Sequence, residues 1–314
     1  MVSQGAGMNW LPDFKSEYPR VLIIGNFDGV HLGHQKLVQL ALEKRTGFDT
    51  LVSVMTFEPH PSIVFAVKNF LLVQDYESRY ACLKQSGADE VLAMPFTNGF
   101  SQMDSREFIR FLKDVIRPEA ICVGFDFRFG HFGAGTGAQL QAEMNSANVP
   151  VYILPRHEIL GQKVSSSRLR ECLKMGDLQT VESMMGRKHF LTGCVSPGYG
   201  IGKGLGFPTI NLNFQDLPLA LAYGVYLIRA SVLDEPEIKA IANYGVSPSF
   251  HGNEKPRLEI HFPHQTTGPW VDWSIGVKVK VEFERFIRPE RHFSDPEELK
   301  TQISSDIGYY EEWF

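Results

Sequence analysis

Two histidines, His31 and His34, follow a glycine-rich turn in the segment GNFDGVHLGH at residues 25–34. A short apolar run precedes the turn, and apolar residues at helical spacing follow it, so the turn joins a buried strand to a helix. Glycines let the backbone approach a ligand, and a helix N-terminus and two imidazoles supply hydrogen-bond donors. This suits in-line attack on the α-phosphate of a nucleotide, which needs no covalent nucleophile. Taken alone, the histidine pair also fits capping or surface residues of an ordinary helix.

A strand with one polar face is predicted in the segment RLEIHF at residues 257–262. Its two-residue period places the apolar residues on one face and the polar residues on the other, namely Arg257, Glu259 and His261. A carboxylate on such a face can accept the proton of a hydroxyl that attacks a phosphate. It can also pair with Arg257 or with a lysine of a neighbouring strand, which is the usual role of a strand glutamate.

Strand and helix patterns alternate in the first half of the chain. Strands are predicted at 21–25, 51–57, 120–127 and 151–155, and helices at 34–44 and 106–116. This alternation predicts an α/β domain with a parallel sheet covered on both faces.

Strand periodicity dominates after a glycine-rich stretch that begins near residue 186. The residues from Val277 to Glu284 alternate between apolar and charged, which is typical of a strand with one wet face, and this half is predicted to be an antiparallel barrel. A capping-box spacing from Ser294 to Glu297 predicts a terminal helix that packs onto the barrel. The domain boundary is therefore placed near Met185, with domains at 1–185 and 186–314.

Composition excludes several classes of function. The net charge of −5, without a long single-sign run, argues against a basic surface that binds nucleic acid. The four cysteines are far apart, so neither a zinc site nor a disulfide framework is expected. No leader pattern and no membrane-length apolar run occurs, and we expect a soluble cytoplasmic protein without a membrane partner. The sequence leaves association into an oligomer open.

The segment GNFDGVHLGHQ resembles the corresponding motif of the bacterial bifunctional riboflavin kinase/FAD synthetase family, whose transferase half is an FMN adenylyltransferase. Three later segments match that family in order: FEPHP at 57–61, GFDFRFG at 124–130 and VSSSRLR at 164–170. Separately they fit a strand end, an aromatic core strand and an N-cap serine run. The resemblance runs from about Val21 to Ile307. It implies a Rossmann-like nucleotidyltransferase domain followed by a six-stranded riboflavin kinase-like β-barrel.

The resemblance implies two reactions. Riboflavin is phosphorylated with ATP to FMN, and AMP is then transferred from ATP to FMN to give FAD and pyrophosphate. The catalytic residues of the transferase would be His31, His34 and Arg168, and His60 and Asp126 would hold the flavin. The implied ATP contacts of the transferase are Gly25, Asn26, Phe27, Asp28, Gly29, His31, His34, Ser165, Ser166 and Arg168.

For the kinase, residues 202–211 resemble the family's GRxLGFPTAN loop. The implied ATP contacts are Gly202, Lys203, Gly206, Pro208, Thr209 and Asn211. Thr209 and Asn211 would also reach Mg²⁺, and Glu259 would be the catalytic base. Residues 241–250 resemble the ANxGxxPTF segment beside the catalytic strand, to which we assign no chemistry.

The departures from the family pattern are local. Lys203 stands where the kinase loop often has arginine, and the HFGAGT stretch at 131–136 lacks an arginine that is common there. Two alternatives stay open. The chain could be a single-function riboflavin kinase with a nucleotide-binding but inactive first domain, or a non-catalytic flavin-binding protein.

Overall fold

The computed structural model describes residues 18–156, 158–159, 162–198, 204, 206–232, 235–246, 256–263 and 273–314. The chain divides into two compact units. The first contains residues 18–70 and Tyr80–Val164, and the second contains Leu71–Arg79 and Ser165–Phe314. The predicted domain boundary near Met185 stays a prediction.

The first unit is built on a five-stranded parallel sheet with the order β3-β2-β1-β4-β7. These strands are β1 (Arg20–Ile24), β2 (Leu51–Glu58), β3 (Glu90–Pro95), β4 (Ala120–Gly124) and β7 (Val151–Leu154). Two small hairpins are formed by β5 (Arg128–Phe129) with β6 (Gly135–Thr136) and by β8 (Glu158–Ile159) with β9 (Gln162–Lys163). The predicted parallel α/β sheet is therefore confirmed.

Helices surround this sheet. They are α1 (Leu32–Glu43), α2 (Pro61–Val64), α4 (Asn98–Ser101), α5 (Ser105–Phe111) with a π-helical turn (Leu112–Ile116), and α6 (Gly137–Asn145). Helix α3 (Tyr76–Gln85) begins in the second unit and ends in the first. The centre of the sheet is completely buried, as the 0% exposure of Leu22, Ile23 and Ile121 shows. Each such side chain contributes about 1.5–3 kcal/mol through burial.

Strand β4 ends at Gly124, although the apolar pattern predicted a strand as far as residue 127. The amide of Phe127 donates to the carbonyl of Gly124, so the chain turns at this point. Asp126 consequently lies in a turn beyond the strand and is exposed to solvent.

The second unit contains a closed antiparallel barrel of six strands, as predicted. In barrel order these are β10 (Phe190–Ser196), β11 (Thr209–Asn213), β14 (Arg257–His261), β13 (Ile238–Gly245), β12 (Gly224–Val232) and β15 (Lys278–Pro289). Helices α7 (Ser166–Met175) and α8 (Leu178–Met185) precede the barrel. The alternation in β15 places Val279, Val281 and Phe283 inside the barrel, each at most 1% exposed.

The segment Leu71–Arg79, which comes from the first half of the sequence, packs within the second unit. Asp75 caps α3 by accepting the amide of Ser78, and its other oxygen accepts the amide of Thr192 on β10. Leu72 forms an isolated parallel bridge with Leu219. Sequence patterns gave no sign of this arrangement, because both contacts join residues more than 100 positions apart.

The terminal helix α9 (Pro296–Trp313) is present as predicted, but its N-cap is Asp295 rather than Ser294. The carboxylate of Asp295 accepts the amide of Glu298 at 2.8 Å, while Ser294 hydrogen-bonds the side chain of Glu298. Buried Asp306 on this helix receives a bidentate pair from Arg288 of β15, which holds the helix against the barrel.

All four cysteines are free thiols, and Cys194 is the only one of them that is partly exposed. Within the described parts of the chain, no helix has the length and apolar character needed to cross a membrane.

Candidate functional sites

Three of the predicted motifs follow neighbouring parallel strands of the first unit. The turn that begins at Gly25 follows β1, the FEPHP turn ends β2, and GFDFRFG continues from β4. Strand β1 lies between β2 and β4, so all three motifs meet at the carboxyl edge of one sheet. The chain order reverses direction between β1 and β4, and such a switch point is where open α/β sheets bind ligands.

The turn after β1 has an unusual backbone that its own side chains hold in place. Phe27 and Val30 have φ values of 54° and 38°, while Gly29 has a φ of 87°. Phe27 and Val30 are at most 1% exposed, so burial of their side chains offsets the cost of this left-handed backbone. A Cβ at Gly25 would lie 3.1 Å from the ring of Phe27, so a larger residue there would require this buried ring to shift.

His31 is the N-cap of α1, and the His34 amide donates to its Nδ1 at 3.2 Å. Because Nδ1 accepts a hydrogen bond, a neutral His31 carries its proton on Nε2 and is a donor through that nitrogen. The two imidazole rings are stacked with centroids 3.6 Å apart. His31 is thus both the helix cap of the simpler interpretation and a donor held in a defined tautomer.

His60 also begins a helix, with its Nδ1 accepting the amide of Ser62 at 3.1 Å. Its ring is 5% exposed and stacks on Phe70. The hydroxyl of Tyr80 donates to the carboxylate of Glu58, two residues before His60. The FEPHP turn is therefore held from both sides, and Tyr80 is a support that sequence reasoning did not identify.

Asp126 is paired with Lys163 at 3.3 Å, and the ammonium of Lys163 also lies 5.2 Å from the ring centre of Phe125. Both members of the ion pair are exposed, so the pair contributes little to stability. It places a carboxylate, a cation and an aromatic ring together after β4.

Ser165 is the N-cap of α7, and its hydroxyl accepts the amide of Arg168 at 3.4 Å. Ser166 and Arg168 are in the first turn of this helix and are half-buried. The predicted N-cap serine run is present, at the start of the second unit. Contact of these residues with ATP stays a prediction.

In the second unit, three polar residues form a row across neighbouring strands of the barrel. Asn211 on β11 pairs with Glu259 on β14, and Glu259 pairs with Asn243 on β13. Directly paired residues share a face, and the residues that flank this row, such as Leu258 and Ile260, point into the core. The row therefore lies on the outer face, with Glu259 in the middle.

Asn211 meets the requirements of a ligand for a hard cation. It is 5% exposed, and its Oδ1 has no hydrogen-bond partner among the residues that the structure describes. Thr209 is two residues earlier on β11 and so shares the same face. Amide and hydroxyl oxygens are the donors that Mg²⁺ accepts together with phosphate oxygens and water. The described residues contain no cluster of three or more His, Cys, Asp or Glu that could hold a metal instead.

Gly198 is a support of Asn211 that sequence reasoning did not assign. A Cβ built on Gly198 would overlap the side-chain amide of Asn211. The only signal in the sequence was a glycine in the loop after β10. Any side chain at position 198 would therefore displace the carboxamide of Asn211.

The loop before β11 is anchored by a residue of β14. Nδ1 of His261 is 2.9 Å from the carbonyl oxygen of Pro208, and the rings of Phe207 and His261 are in edge contact. Gly206 has a φ of 91°, which glycine adopts without strain. Gly202 and Lys203, the other predicted ATP contacts of this loop, lie outside the described residues, as do residues 247–250.

Glu259 is half-buried, and this burial raises its pKa above the ordinary value, although nearby Arg257 acts in the opposite direction. Among the described residues, no side chain forms a hydrogen bond or a close ion pair with Glu259. In the simpler interpretation Glu259 pairs with Arg257 or with a cross-strand lysine; among the described residues neither forms an ion pair with it, and Arg257 acts on it only through its nearby charge. A carboxylate with a raised pKa is a better proton acceptor.

A parallel α/β unit with a glycine-rich turn at its switch point, and a six-stranded barrel with a carboxylate beside a carboxamide, fit a two-part transferase that uses nucleotides. Comparison with protein families agrees. Residues 13–168 match the FAD synthetase family, and residues 185–314 match the riboflavin kinase family. The chain belongs to the bifunctional riboflavin kinase/FMN adenylyltransferase family.

Relatives of that name cover nearly the full length of the chain. The Escherichia coli (strain K12) protein is 31% identical over 94% of this chain and 92% of its own length. The Bacillus subtilis (strain 168) protein is 29% identical over 91% of this chain and 90% of its own. A Streptococcus pneumoniae crystal structure described as a macrolide-efflux protein is 26% identical, covers 97% of both chains and has a TM-score of 0.80.

Proposed function

We propose that the chain performs two consecutive ATP-dependent reactions on flavins, with the barrel phosphorylating riboflavin and the α/β unit adenylylating FMN. The products are FMN and ADP in the first reaction, and FAD and pyrophosphate in the second. The observation that carries the proposal is the row of Asn211, Glu259 and Asn243, in which a carboxylate lies between two carboxamides on one face of the barrel.

In the kinase reaction, Glu259 accepts the proton of the terminal ribityl hydroxyl as that oxygen attacks the γ-phosphorus of ATP and ADP leaves. Thr209 and Asn211 would hold Mg²⁺, which would neutralise charge on the phosphates. Gly206 and Pro208 shape the loop that approaches the phosphates, and His261 holds the loop through the Pro208 carbonyl. We assign Gly202 and Lys203 to the same ATP site.

In the transferase reaction, a phosphate oxygen of FMN attacks the α-phosphorus of ATP in line with the departing pyrophosphate. His31 and His34 donate hydrogen bonds to the phosphate as negative charge develops on it. The backbone from Gly25 to Gly29, which includes Asn26, Phe27 and Asp28, lines the ATP site. Ser165, Ser166 and Arg168 are assigned to the triphosphate, where a guanidinium neutralises charge.

We assign His60 and Asp126 to the flavin of the transferase site. Both lie beyond the carboxyl ends of strands that flank β1, and His60 is fixed by its cap and its stacking on Phe70. Lys163 and Phe125 accompany Asp126 and add a cation and a ring to that side.

Product analysis tests the two activities together. Purified protein is incubated with riboflavin, ATP and Mg²⁺, and the flavins are separated by chromatography. We expect FMN to appear first and FAD after it. FMN without FAD would support the single-function kinase, and the absence of any new flavin would support the non-catalytic flavin-binding protein.

The partners of this function are small molecules: riboflavin, FMN and ATP. A cytoplasmic location and the absence of a nucleic-acid partner are part of the proposal. The oligomeric state is left open and can be measured by light scattering on the purified chain.

A further inference from the structure

The row on the barrel face contains two carboxamides. Only that of Asn211 has a role in the proposed kinase reaction. Asn211 and Asn243 flank Glu259 on opposite sides, in direct register on β11 and β13. Neighbouring strands are about 4.8 Å apart, so each carboxamide is within reach of a ligand atom that contacts Glu259. The sequence predicted that the segment containing Asn243 adds no chemistry.

The two sides of Glu259 differ in character. On the β11 side, Thr209 and Asn211 face outward with oxygen ligands for a cation, and the loop around Gly206 and Pro208 leads to the phosphates. On the β13 side, Gly245 follows Asn243 on the same outer face, and the carboxylate of Glu290 packs directly against this glycine. This side therefore has one carboxamide next to a carboxylate, and both can hydrogen-bond a hydroxyl.

A hydroxyl that gives its proton to Glu259 while it attacks a phosphate must be in contact with the Glu259 carboxylate. The phosphate then lies on one side of this hydroxyl and the rest of the alcohol on the other. The phosphate is on the β11 side, so the rest of the alcohol extends towards β13. Asn243 is half-buried, and its side chain forms no hydrogen bond with other described residues, so its carboxamide is available to a ligand. A carboxamide both donates and accepts, which suits a hydroxyl on the carbon next to the reacting one.

We propose that Asn243 is a specificity-determining residue of the kinase site that hydrogen-bonds the ribityl hydroxyl adjacent to the one being phosphorylated. This inference rests on the proposed riboflavin kinase activity and goes beyond it by identifying what selects the polyol chain. Asn243 orients the chain so that its terminal oxygen meets Glu259 on one side and the γ-phosphate on the other.

The test compares Asn243→Ala with wild type in steady-state riboflavin phosphorylation by the full chain. Loss of a hydrogen bond to a substrate hydroxyl is expected to raise the KM for riboflavin by about tenfold, with the KM for ATP nearly unchanged. Asn213→Ala is the matched control, because Asn213 is also an outward-facing carboxamide of β11 but bonds the amide of Asp216 in a turn. The control is expected to keep the riboflavin KM of wild type.

A riboflavin analogue without the adjacent ribityl hydroxyl separates contact from general damage. For the wild type, the KM for the analogue should exceed the KM for riboflavin by about the same factor by which Asn243→Ala raises the KM for riboflavin. With the alanine variant the analogue should cost nothing further, because the partner is already absent. If the substitution and the missing hydroxyl raise the KM independently, so that their two factors multiply, the proposal is wrong. An unchanged KM for riboflavin in Asn243→Ala would also overturn it.

Folding is checked in the same molecules by FMN adenylylation, to which no residue of the barrel strands is assigned, and by thermal unfolding. If Asn243→Ala does not fold, Asn243→Ser is measured, which keeps a small hydroxyl and is expected to have an intermediate riboflavin KM. If wild type forms no FMN at all, the proposed kinase function itself is wrong. A wild type that forms FMN, with Asn243 variants of normal riboflavin KM, disproves only the role of Asn243.

Discussion

The imidazole rings of His31 and His34 are stacked with centroids 3.6 Å apart, and the backbone amide of His34 donates to Nδ1 of His31. One residue therefore has two separable tasks, because the cap needs only an acceptor at position 31 whereas phosphate stabilisation needs an imidazole. Substitutions that keep one task and remove the other distinguish a structural histidine from a catalytic one.

We expect His31→Asn to fold as stably as wild type, since asparagine is a good N-cap residue, but to form FAD about 10²–10³-fold more slowly. His31→Ala should lose the cap as well, at a cost of about 1 kcal/mol of stability. FAD formation from supplied FMN and denaturant unfolding are measured on both variants. Wild-type FAD formation by His31→Asn would show that the imidazole acts only as a cap.

Glu259→Gln should abolish FMN formation and leave FAD formation from supplied FMN intact, because the amide cannot accept the proton of the ribityl hydroxyl. Burial raises the pKa of Glu259, and the base acts in its ionised form. The kcat/KM of the kinase should therefore fall on acidification through this raised pKa and level off above it. Normal FMN formation by Glu259→Gln would refute the assignment of the base.

Gly198→Ala should weaken the cation site, because the added Cβ would displace the side chain of Asn211. The expected result is a higher Mg²⁺ concentration for half-maximal riboflavin phosphorylation, with activity recovered at high Mg²⁺. Gly308→Ala is the control, since a Cβ there meets no atom and alanine favours a helix. An unchanged Mg²⁺ dependence in Gly198→Ala would argue against Asn211 as a cation ligand.

Tyr80→Phe removes the hydroxyl that holds Glu58 and should loosen the turn that carries His60. We expect the KM for FMN in the transferase reaction to rise by roughly fivefold, about the effect of one lost hydrogen bond, while riboflavin phosphorylation stays normal. Initial rates with FMN as the varied substrate measure this. An effect on kcat alone would mean that the turn does not contact the flavin.

His189 should make the protein sensitive to acid. Its ring is fully buried against Phe283, and this desolvation lowers its pKa to about 3 from the ordinary 6.5. The folded state keeps the ring neutral, whereas the unfolded chain takes up a proton below pH 6.5. Stability is therefore complete above pH 6.5 and is lost between 6.5 and 3, by up to about 1.4 kcal/mol for each pH unit.

Urea unfolding at several values between pH 7.5 and 4.5 measures this loss for wild type and for His189→Gln. The variant cannot bind the proton, so its stability should fall less steeply over the same range. Parallel curves for the two proteins would mean that other groups cause the acid sensitivity.

The sequence by itself determined the local structural features of this protein. The turn from Gly25 to Gly29, the cap at His31 and the alternation around Glu259 depend on residues close together in the chain, so their patterns predicted the elements and their faces. The parallel sheet and the antiparallel barrel followed from the same periodicities, and the family resemblance then identified both reactions. The end of β4 at Gly124 and the cap at Asp295 differed from prediction, because hydrogen bonds within each turn decide such ends.

Only the tertiary structure decided which of these local features lie next to one another. The row of Asn211, Glu259 and Asn243 depends on register between different strands, and period-two patterns give the face of a strand but not its partner. The same limit hid the approach of Gly198 to Asn211, the support of Glu58 by Tyr80, and the joining of Leu71–Arg79 to the barrel unit. Long-range packing sets these contacts, and it is packing that turns a strand glutamate into a candidate base with a selective neighbour.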